Sequence, residues 1–168
     1  GDADRIGAVD ARGQFVDPHR IFGLILRHLL HKRGLRGPVV RTVSTTRMID
    51  RIAAECGLPV IETPVGFNHI ADLMLAQDVV MGGEESGGMS ISGHIPEGDG
   101  VLMGLLLLEV MAEAHKPLHV LVDELLAAYG PAQYARTDMK LRRPVGKAEL
   151  AARLVSAAPD AIAGVALE

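Results

Sequence analysis

The chain has 168 residues, of which 48% are hydrophobic and only 3% aromatic, and its formal net charge at pH 7 is -4. This length accommodates one ordinary domain with an aliphatic core, and the negative charge argues against a nucleic-acid partner. No apolar stretch reaches the roughly 18 residues of a membrane span, and the single cysteine rules out an internal disulfide, so we expect a cytoplasmic protein without a membrane partner.

Strands and helices alternate along the first half of the chain. The apolar run 6–10 predicts a strand that turns at Gly13, and Asp17-Pro18 predicts the start of a helix that ends at Gly34. Further strands are predicted at 38–43, 58–63 and 78–81, the last of which leads into a turn at Gly82-Gly83, with helices between them that contain Met48–Cys56 and Gly66–Gln77. This alternation predicts an α/β fold, a three-layer α/β/α domain whose mixed sheet is mostly parallel.

The second half of the chain changes character. A glycine-rich loop at 82–100 precedes an apolar helix at 101–114, which we expect to be buried, and a second helix begins at Pro117. The tail is predicted to hold an edge strand at 134–142, a helix at 146–157 and a strand at 162–167. We therefore divide the chain into a sugar-binding domain at 1–114 and a linker helix with the start of a C-terminal domain at 115–168.

The chain opens with acidic residues and without an initiator methionine, which we interpret as the sign of a fragment. Asp2 and Asp4 are two residues apart, so an extended backbone directs both carboxylates to one side, where they offer part of a Mg²⁺ site. Arg5 follows them, and a guanidinium beside a metal holds phosphate oxygens or restrains the carboxylates. The alternative is an exposed acidic terminus with a surface arginine.

The most unusual segment is Met81–Gly88, in which four glycines surround Glu84, Glu85 and Ser86. It follows a predicted strand, at the edge where open α/β sheets bind ligands, and its glycines allow the backbone to approach a ligand closely. Glu84 and Ser86 present a carboxylate and a hydroxyl, which suit the neighbouring hydroxyls of a sugar ring. A solvated flexible loop is the alternative interpretation.

Taken together, three motifs in this order resemble the α-D-phosphohexomutase superfamily. They are Gly1-Asp2-Ala3-Asp4-Arg5, Thr63-Pro64-Val65-Gly66-Phe67 and Gly83-Glu84-Glu85-Ser86-Gly87, followed by Asp99-Gly100 at the start of a leucine-rich helix. The similarity extends over about residues 1–114, which correspond to the third domain of the family and the end of its second.

The resemblance implies roles for particular residues. Asp2 and Asp4 match two of the three aspartates that hold Mg²⁺ in the family, and Arg5 matches the arginine of that loop. Glu84 and Ser86, with the flanking Gly83 and Gly87, match the loop that contacts the sugar hydroxyls; the substrate-contacting turn of the third domain falls at Asn68 and His69. Many members carry histidine where this chain has Gly88, and His94 is a candidate to replace it.

The resemblance also implies a reaction. A phosphoserine donates its phosphoryl group to a hexose phosphate, and a bisphosphate intermediate turns over before the second phosphate returns to the serine. The family's phosphoserine loop and its last phosphate loop are absent from these 168 residues, so we expect the remaining domains of the same enzyme as partners and no turnover by this piece alone. The alternatives are a non-catalytic sugar- or protein-binding module and, less favoured, a Mg²⁺-dependent phosphatase that uses Asp2 and Asp4.

Overall fold

The structure, a computed structural model, describes residues 3–131, 137, 140, 143–162 and 164–166. The chain divides into two compact units, Gly1–Gln133 and Tyr134–Glu168. The first contains β1 (Ala8–Val9), β2 (Phe15–Val16), α1 (Pro18–His31), β3 (Val39–Thr42), α2 (Met48–Glu55), β4 (Val60–Thr63), α3 (Phe67–Ala76), β5 (Met81–Gly83), β6 (Met89–Ile91), α4 (Gly100–Ala114) and α5 (Leu118–Tyr129). The second contains α6 (Lys147–Ser156), β7 (Ala161–Ile162) and β8 (Val165–Ala166).

A four-stranded mixed sheet lies at the centre of the first unit, in the order β4-β3-β5-β6. Strand β3 runs parallel to β4 and β5, and only β6 is antiparallel to its neighbour. Helices cover both faces, so the predicted α/β/α architecture with a mostly parallel sheet is confirmed. The parallel strands β3, β4 and β5 end at the same edge, which is where the polar loops of the molecule meet.

Helix α1 is the central helix of the core. It begins as predicted: Asp17 Oδ1 accepts a hydrogen bond from the Arg20 amide at 3.1 Å, and Pro18 occupies the first turn. The helix contacts α2, α4 and α5, which explains why its side chains are buried on nearly all sides. On the opposite face of the sheet, Ile70 of α3 packs with Val40 and Val79.

The prediction of a Gly82-Gly83 turn was wrong, because both glycines lie within strand β5. A Cβ on Gly82 would collide with Ile70 of α3, and a Cβ on Gly83 would lie 2.8 Å from the ring of Phe22 in α1. The two glycines therefore let a helix approach each face of the sheet closely. Tertiary packing, rather than strand propensity, accounts for their presence in the strand.

The predicted loop at 82–100 also contains an element that we missed. Strand β6 pairs with β5 in the register Met81↔Ile91 and Gly83↔Met89, so residues 81–91 form a β-hairpin. We define the hairpin tip as residues Glu84–Gly88; it is closed by hydrogen bonds from the Glu84 amide to the Gly88 carbonyl (2.9 Å) and from the Gly87 amide to the Glu84 carbonyl (3.2 Å). Gly87 has φ of 100°, a conformation that glycine adopts without strain.

Helix α4 is less buried than its composition predicts. Its inward side chains are buried, but Val101, Leu105 and Leu108 are 66%, 60% and 60% exposed. Helix α5 packs on α1 and α2, and the Tyr129 hydroxyl donates to Glu55 Oε2 at 2.7 Å. Within the residues that the structure describes, none of the helices combines the length and apolar character needed to cross a membrane.

Two of the three predicted tail elements fall largely on residues that the structure describes. Helix α6 matches the prediction at 146–157, whereas the predicted strand at 162–167 is replaced by a short antiparallel pairing of β7 with β8. The predicted strand at 134–142 falls on a stretch of which the structure describes only residues 137 and 140.

Candidate functional site

The hairpin tip lies at the sheet edge where β3, β4 and β5 end. Three other segments reach the tip: the loop after β3, the turn after β4 and the N-terminal segment, which we define as Ala3–Ile6. Each contact joins residues far apart in the sequence. The tip is thus held within a set of loops and is not the solvated flexible loop of the alternative interpretation.

Glu84 and Ser86 are brought together as the sequence predicted. Ser86 Oγ donates to Glu84 Oε2 at 3.2 Å, and the other carboxylate oxygen accepts a hydrogen bond from the Gly66 amide at 2.9 Å. Gly66 belongs to the turn between β4 and α3, so this bond joins the tip to that turn. The result is a carboxylate next to a hydroxyl, both half-buried, at the carboxyl edge of the sheet.

Glu85 points to the loop after β3, a contact that sequence reasoning missed. Its Oε2 accepts hydrogen bonds from Ser44 Oγ at 2.6 Å and from Thr42 Oγ1 at 3.2 Å. Burial alone would raise the pKa of Glu85, but the Ser44 bond, its own backbone amide, the Thr42 bond and the neighbouring His19 lower it below the ordinary value. Glu85 is therefore an ionised group held by hydroxyl donors.

His19 lies beneath the same loop, in the first turn of α1. Its Nδ1 accepts a hydrogen bond from the Thr46 amide at 3.2 Å, which places the proton of the neutral ring on Nε2. Burial lowers the pKa of His19, against the opposing influence of Asp17 and Glu85, so the imidazole is neutral near pH 7. A neutral imidazole is suited to anchoring the loop from below.

The N-terminal segment pairs with the hairpin tip through its backbone. Arg5 and Gly88 form an antiparallel bridge, and the Ile6 amide donates to the Gly87 carbonyl at 3.3 Å. A Cβ on Gly87 would lie only 2.7 Å from the Ile6 carbonyl oxygen. The Gly100 amide donates to the Ala3 carbonyl at 2.9 Å, so the segment lies between the tip and the start of α4.

Asp4 is the predicted metal ligand that the structure describes, since Asp2 lies outside the described residues. Its Oδ1 is buried without a hydrogen-bond partner among the described groups, while Oδ2 lies 3.7 Å from Arg5 Nε. A buried carboxylate oxygen that lacks a donor fits a site whose cation is supplied from outside the protein. The donor chemistry of Asp4 is therefore compatible with Mg²⁺.

Within the described residues, the remaining candidates do not bond to the polar pair of the tip. Asn68 is exposed and His69 half-buried in the first turn of α3, beyond Gly66, and no hydrogen bond joins either side chain to Glu84 or Ser86 in the described part of the chain. His94 is joined to Asp99 Oδ2 at 3.0 Å. Asp99 in turn caps α4 by accepting from the Leu102 amide at 2.8 Å, so His94 supports a helix start.

A second cluster of potential metal ligands lies elsewhere, on α1 and α4. His28, Glu109 and Glu113 each place a ligand atom within 4.8 Å of the others. Arg33 already contacts both oxygens of Glu109, and His28 Nε2 lies 2.9 Å from Glu109 Oε1. This pattern is an ion-pair network that joins the end of α1 to α4.

Comparison with known proteins agrees with this geometry. The family described as phosphoglucomutase/phosphomannomutase, alpha/beta/alpha domain III, matches residues 17–129. A phosphoglucosamine mutase from Rubrobacter xylanophilus is 39% identical over 118 residues, which cover 70% of this chain and 27% of that protein. A phosphoglucosamine mutase from Anaeromyxobacter dehalogenans is 34% identical over 165 residues, which cover 96% of this chain and 35% of that protein.

Solved structures give the same result. A putative phosphomannomutase from Thermus thermophilus superposes with a TM-score of 0.73 at 40% identity, covering 77% of this chain and 29% of that one. The phosphoprotein parafusin, a phosphoglucomutase from Paramecium, superposes with a TM-score of 0.68 at 32% identity, covering 78% of this chain and 24% of that one.

The chain therefore spans about a third of the length of the curated relatives, 27% and 35% of the two described above. The matched residues 17–129 contain the whole central sheet and its hairpin tip, the element from which the sugar-binding interpretation began. The chain belongs to the phosphoglucomutase/phosphomannomutase family, of which it contains the α/β/α domain III.

Proposed function

We propose that this chain is the sugar-recognition part of a phosphohexomutase that interconverts hexose 1-phosphate and hexose 6-phosphate through a phosphoserine and a bisphosphate. The observation that carries the proposal is the placement of Glu84 and Ser86, 3.2 Å apart at the carboxyl edge of the sheet. A carboxylate accepts hydrogen bonds from one sugar hydroxyl, and a serine hydroxyl serves an adjacent one as donor or acceptor. Gly83 and Gly87 shape the loop that presents this pair.

The sugar-binding surface extends toward the turn after β4. Because Glu84 accepts from the Gly66 amide, the first turn of α3 follows directly from the anchored residue, and Asn68 and His69 are the side chains that it offers. We propose that they contact the substrate beside Glu84. Their polar groups suit a phosphate or hydroxyl of a ligand that bridges the two loops.

Asp4, together with Asp2, is proposed to contribute to a Mg²⁺ site, with Arg5 in support. When bound, the cation neutralises charge on the phosphoryl group that is transferred. The backbone bridge between Arg5 and Gly88 fixes the N-terminal segment against the sugar-binding tip. Asp4 is thus held next to the sugar-binding tip, so that a single substrate can be bound by the metal site and the tip at the same time.

We propose that the remaining domains of the enzyme are the partners of this chain. We also propose that the protein is cytoplasmic. Val101, Leu105 and Leu108 form an exposed apolar stripe on α4, and such a stripe is typical of a surface covered by another part of a larger protein. The division into a sugar-binding domain at 1–114 and a linker helix with the start of a C-terminal domain at 115–168 stays a proposal; helix α5 of that second part packs on α1 and α2 within the first compact unit, which ends at Gln133.

The names of the curated relatives point to a first substrate. Both relatives described above are phosphoglucosamine mutases, while the two solved structures are named for mannose and glucose phosphates. We therefore propose glucosamine phosphate as the first compound to test, followed by glucose and mannose phosphates. The serine-phosphorylated product of the full-length gene should be assayed with each 1- and 6-phosphate.

Three variants of the full-length, serine-phosphorylated protein test the role of the hairpin tip. Glu84→Gln and Ser86→Ala should each raise KM at least about tenfold, because each removes a hydrogen-bonding group from the bound sugar. Glu97→Gln is the matched control, since Glu97 is an exposed carboxylate outside the tip. A phosphorylated wild-type protein that is inert with all of these sugar phosphates would refute the proposal.

A further inference from the structure

The hairpin tip carries two adjacent glutamates that face different neighbours. Glu84 faces the turn after β4 through the Gly66 amide, while Glu85 faces the loop after β3 through the hydroxyls of Ser44 and Thr42. The proposed sugar contacts use Glu84 and Ser86 and leave Glu85 without a function. Its bond from Ser44 Oγ, at 2.6 Å, is nonetheless shorter than the 2.9 Å bond between the Gly66 amide and Glu84.

The hydroxyls that bind Glu85 also contact one another. Thr42 Oγ1 lies 2.8 Å from Thr45 Oγ1 and 3.3 Å from Ser44 Oγ, so three hydroxyls converge at the end of β3. Thr42 and Thr45 are buried. Ser44 is exposed, so water competes for its hydroxyl, but the two buried hydroxyls have few alternative partners, and the Glu85 carboxylate supplies an acceptor for the network.

The loop after β3 is fixed from the opposite side as well. The Thr46 amide donates to His19 Nδ1 at 3.2 Å, and His19 is a buried residue of the central helix α1. Movement of the loop would therefore break a contact to the core of the domain. A bond to this loop holds the hairpin tip against a rigid element.

We propose that Glu85 is a positioning residue, which orients Glu84 and Ser86 for the sugar by fixing the hairpin tip to the hydroxyl network at the end of β3. This inference rests on the proposed function for the identity of the ligand, but the geometry of the tip can be tested without it. Glu85 touches no substrate in this scheme. It acts through its two neighbours in the sequence.

Hydrogen exchange of this chain tests the positioning directly. In Glu85→Ala, the Ile6 and Gly87 amides, which bond to the tip, should exchange at least about tenfold faster, because charge-assisted bonds that restrain the tip are lost. Val40 in β3 should keep its wild-type rate. Glu97→Ala, which removes an exposed carboxylate, is the matched control.

Kinetics of the full-length enzyme provide the second measurement. Glu85→Ala should raise KM for the hexose phosphate about tenfold while kcat changes less than about threefold, because a misplaced tip weakens sugar binding. Glu85→Gln, which keeps an acceptor oxygen for Ser44, should recover most of the loss. A variant that merely contains less folded protein would instead lower kcat and leave KM unchanged, and that result would overturn the proposal.

The outcomes separate the two proposals. An inert wild-type enzyme refutes the mutase function, and the exchange rates of the chain still decide whether Glu85 fixes the tip. If Glu85→Ala fails to fold, Ser44→Ala removes only the shortest donor and should speed exchange at the tip about threefold or more. Exchange rates in the tip that match those of the Glu97→Ala control, in whichever of these variants folds, would overturn the positioning role.

Discussion

Gly87 is the point at which the hairpin tip and the N-terminal segment approach most closely, and replacing it tests whether the two are tied. In Gly87→Ala, the new methyl group would lie 2.7 Å from the Ile6 carbonyl oxygen and 3.1 Å from its amide nitrogen, at a φ of 100°. The backbone conformation costs about 1–2 kcal/mol for a residue with a side chain, and overpacking adds about 1–3 kcal/mol. We expect a total loss of about 3 kcal/mol.

Gly88→Ala is the matched control for this substitution. The adjacent glycine lacks a positive φ, and the nearest atoms to its added Cβ are Glu84 Oε2 and a Phe67 ring carbon, both at 3.5 Å, which is an ordinary contact. Urea denaturation followed by circular dichroism should show Gly88→Ala within about 1 kcal/mol of wild type. In thermal melts, Gly87→Ala should unfold roughly 10 °C below it.

Two results would refute the reasoning about Gly87. If both variants lose the same small amount of stability, the N-terminal segment is not held against the tip. If Gly87→Ala is destabilised but the Ile6 amide exchanges at its wild-type rate in hydrogen-exchange measurements, the strain is absorbed elsewhere and the pairing of the two segments is preserved.

Three further substitutions test the packing around the sheet. Arg41→Met should cost about 1–2 kcal/mol in urea denaturation, because a buried guanidinium loses its bonds to two carboxylates on α2 and β4, which are 37% and 43% exposed and regain water. Asp99→Ala should cost about 1 kcal/mol at pH 7 by removing the cap of α4. The pKa of Asp99 is lowered, chiefly by the Leu102 amide, so this difference is present above about pH 4 and should shrink as the pH falls through the lower folded-state pKa. Burial and the bond to a carboxylate raise the pKa of Tyr129 to about 12, so Tyr129→Phe should remove a late phenol ionisation from an ultraviolet titration.

The sheet and its central helix were predictable from the sequence because their signals are local. Apolar runs placed β3 and β4 to within two residues at each end, and Asp17-Pro18 gave the start of α1. Strand β6 was missed because it has only three residues and follows a glycine-rich segment. The paired glycines of β5 are in a strand because Ile70 and Phe22 approach from opposite faces, and no local pattern records that approach.

In the candidate site too, some contacts were predictable from the sequence and others were not. Glu84 and Ser86 are two residues apart, so their proximity follows from the local chain, and the spacing predicted it. The bonds from Ser44 and Thr42 to Glu85 depend on the parallel pairing of β3 with β5, which brings together residues more than 40 positions apart. Sequence reasoning had no means to align those two strand ends in advance.

The glycine content of the tip explains why several loops hold it in place rather than its own turn. A glycine-rich turn loses more conformational freedom on folding than other turns do. Contacts from outside the turn must therefore stabilise the conformation that binds the ligand. Gly66, the hydroxyls of Ser44 and Thr42, and the backbone of Arg5 and Ile6 supply those contacts from three separate segments. Under the proposed function, this arrangement keeps Glu84 and Ser86 in place before the sugar binds, so less of the binding free energy is spent on ordering the tip.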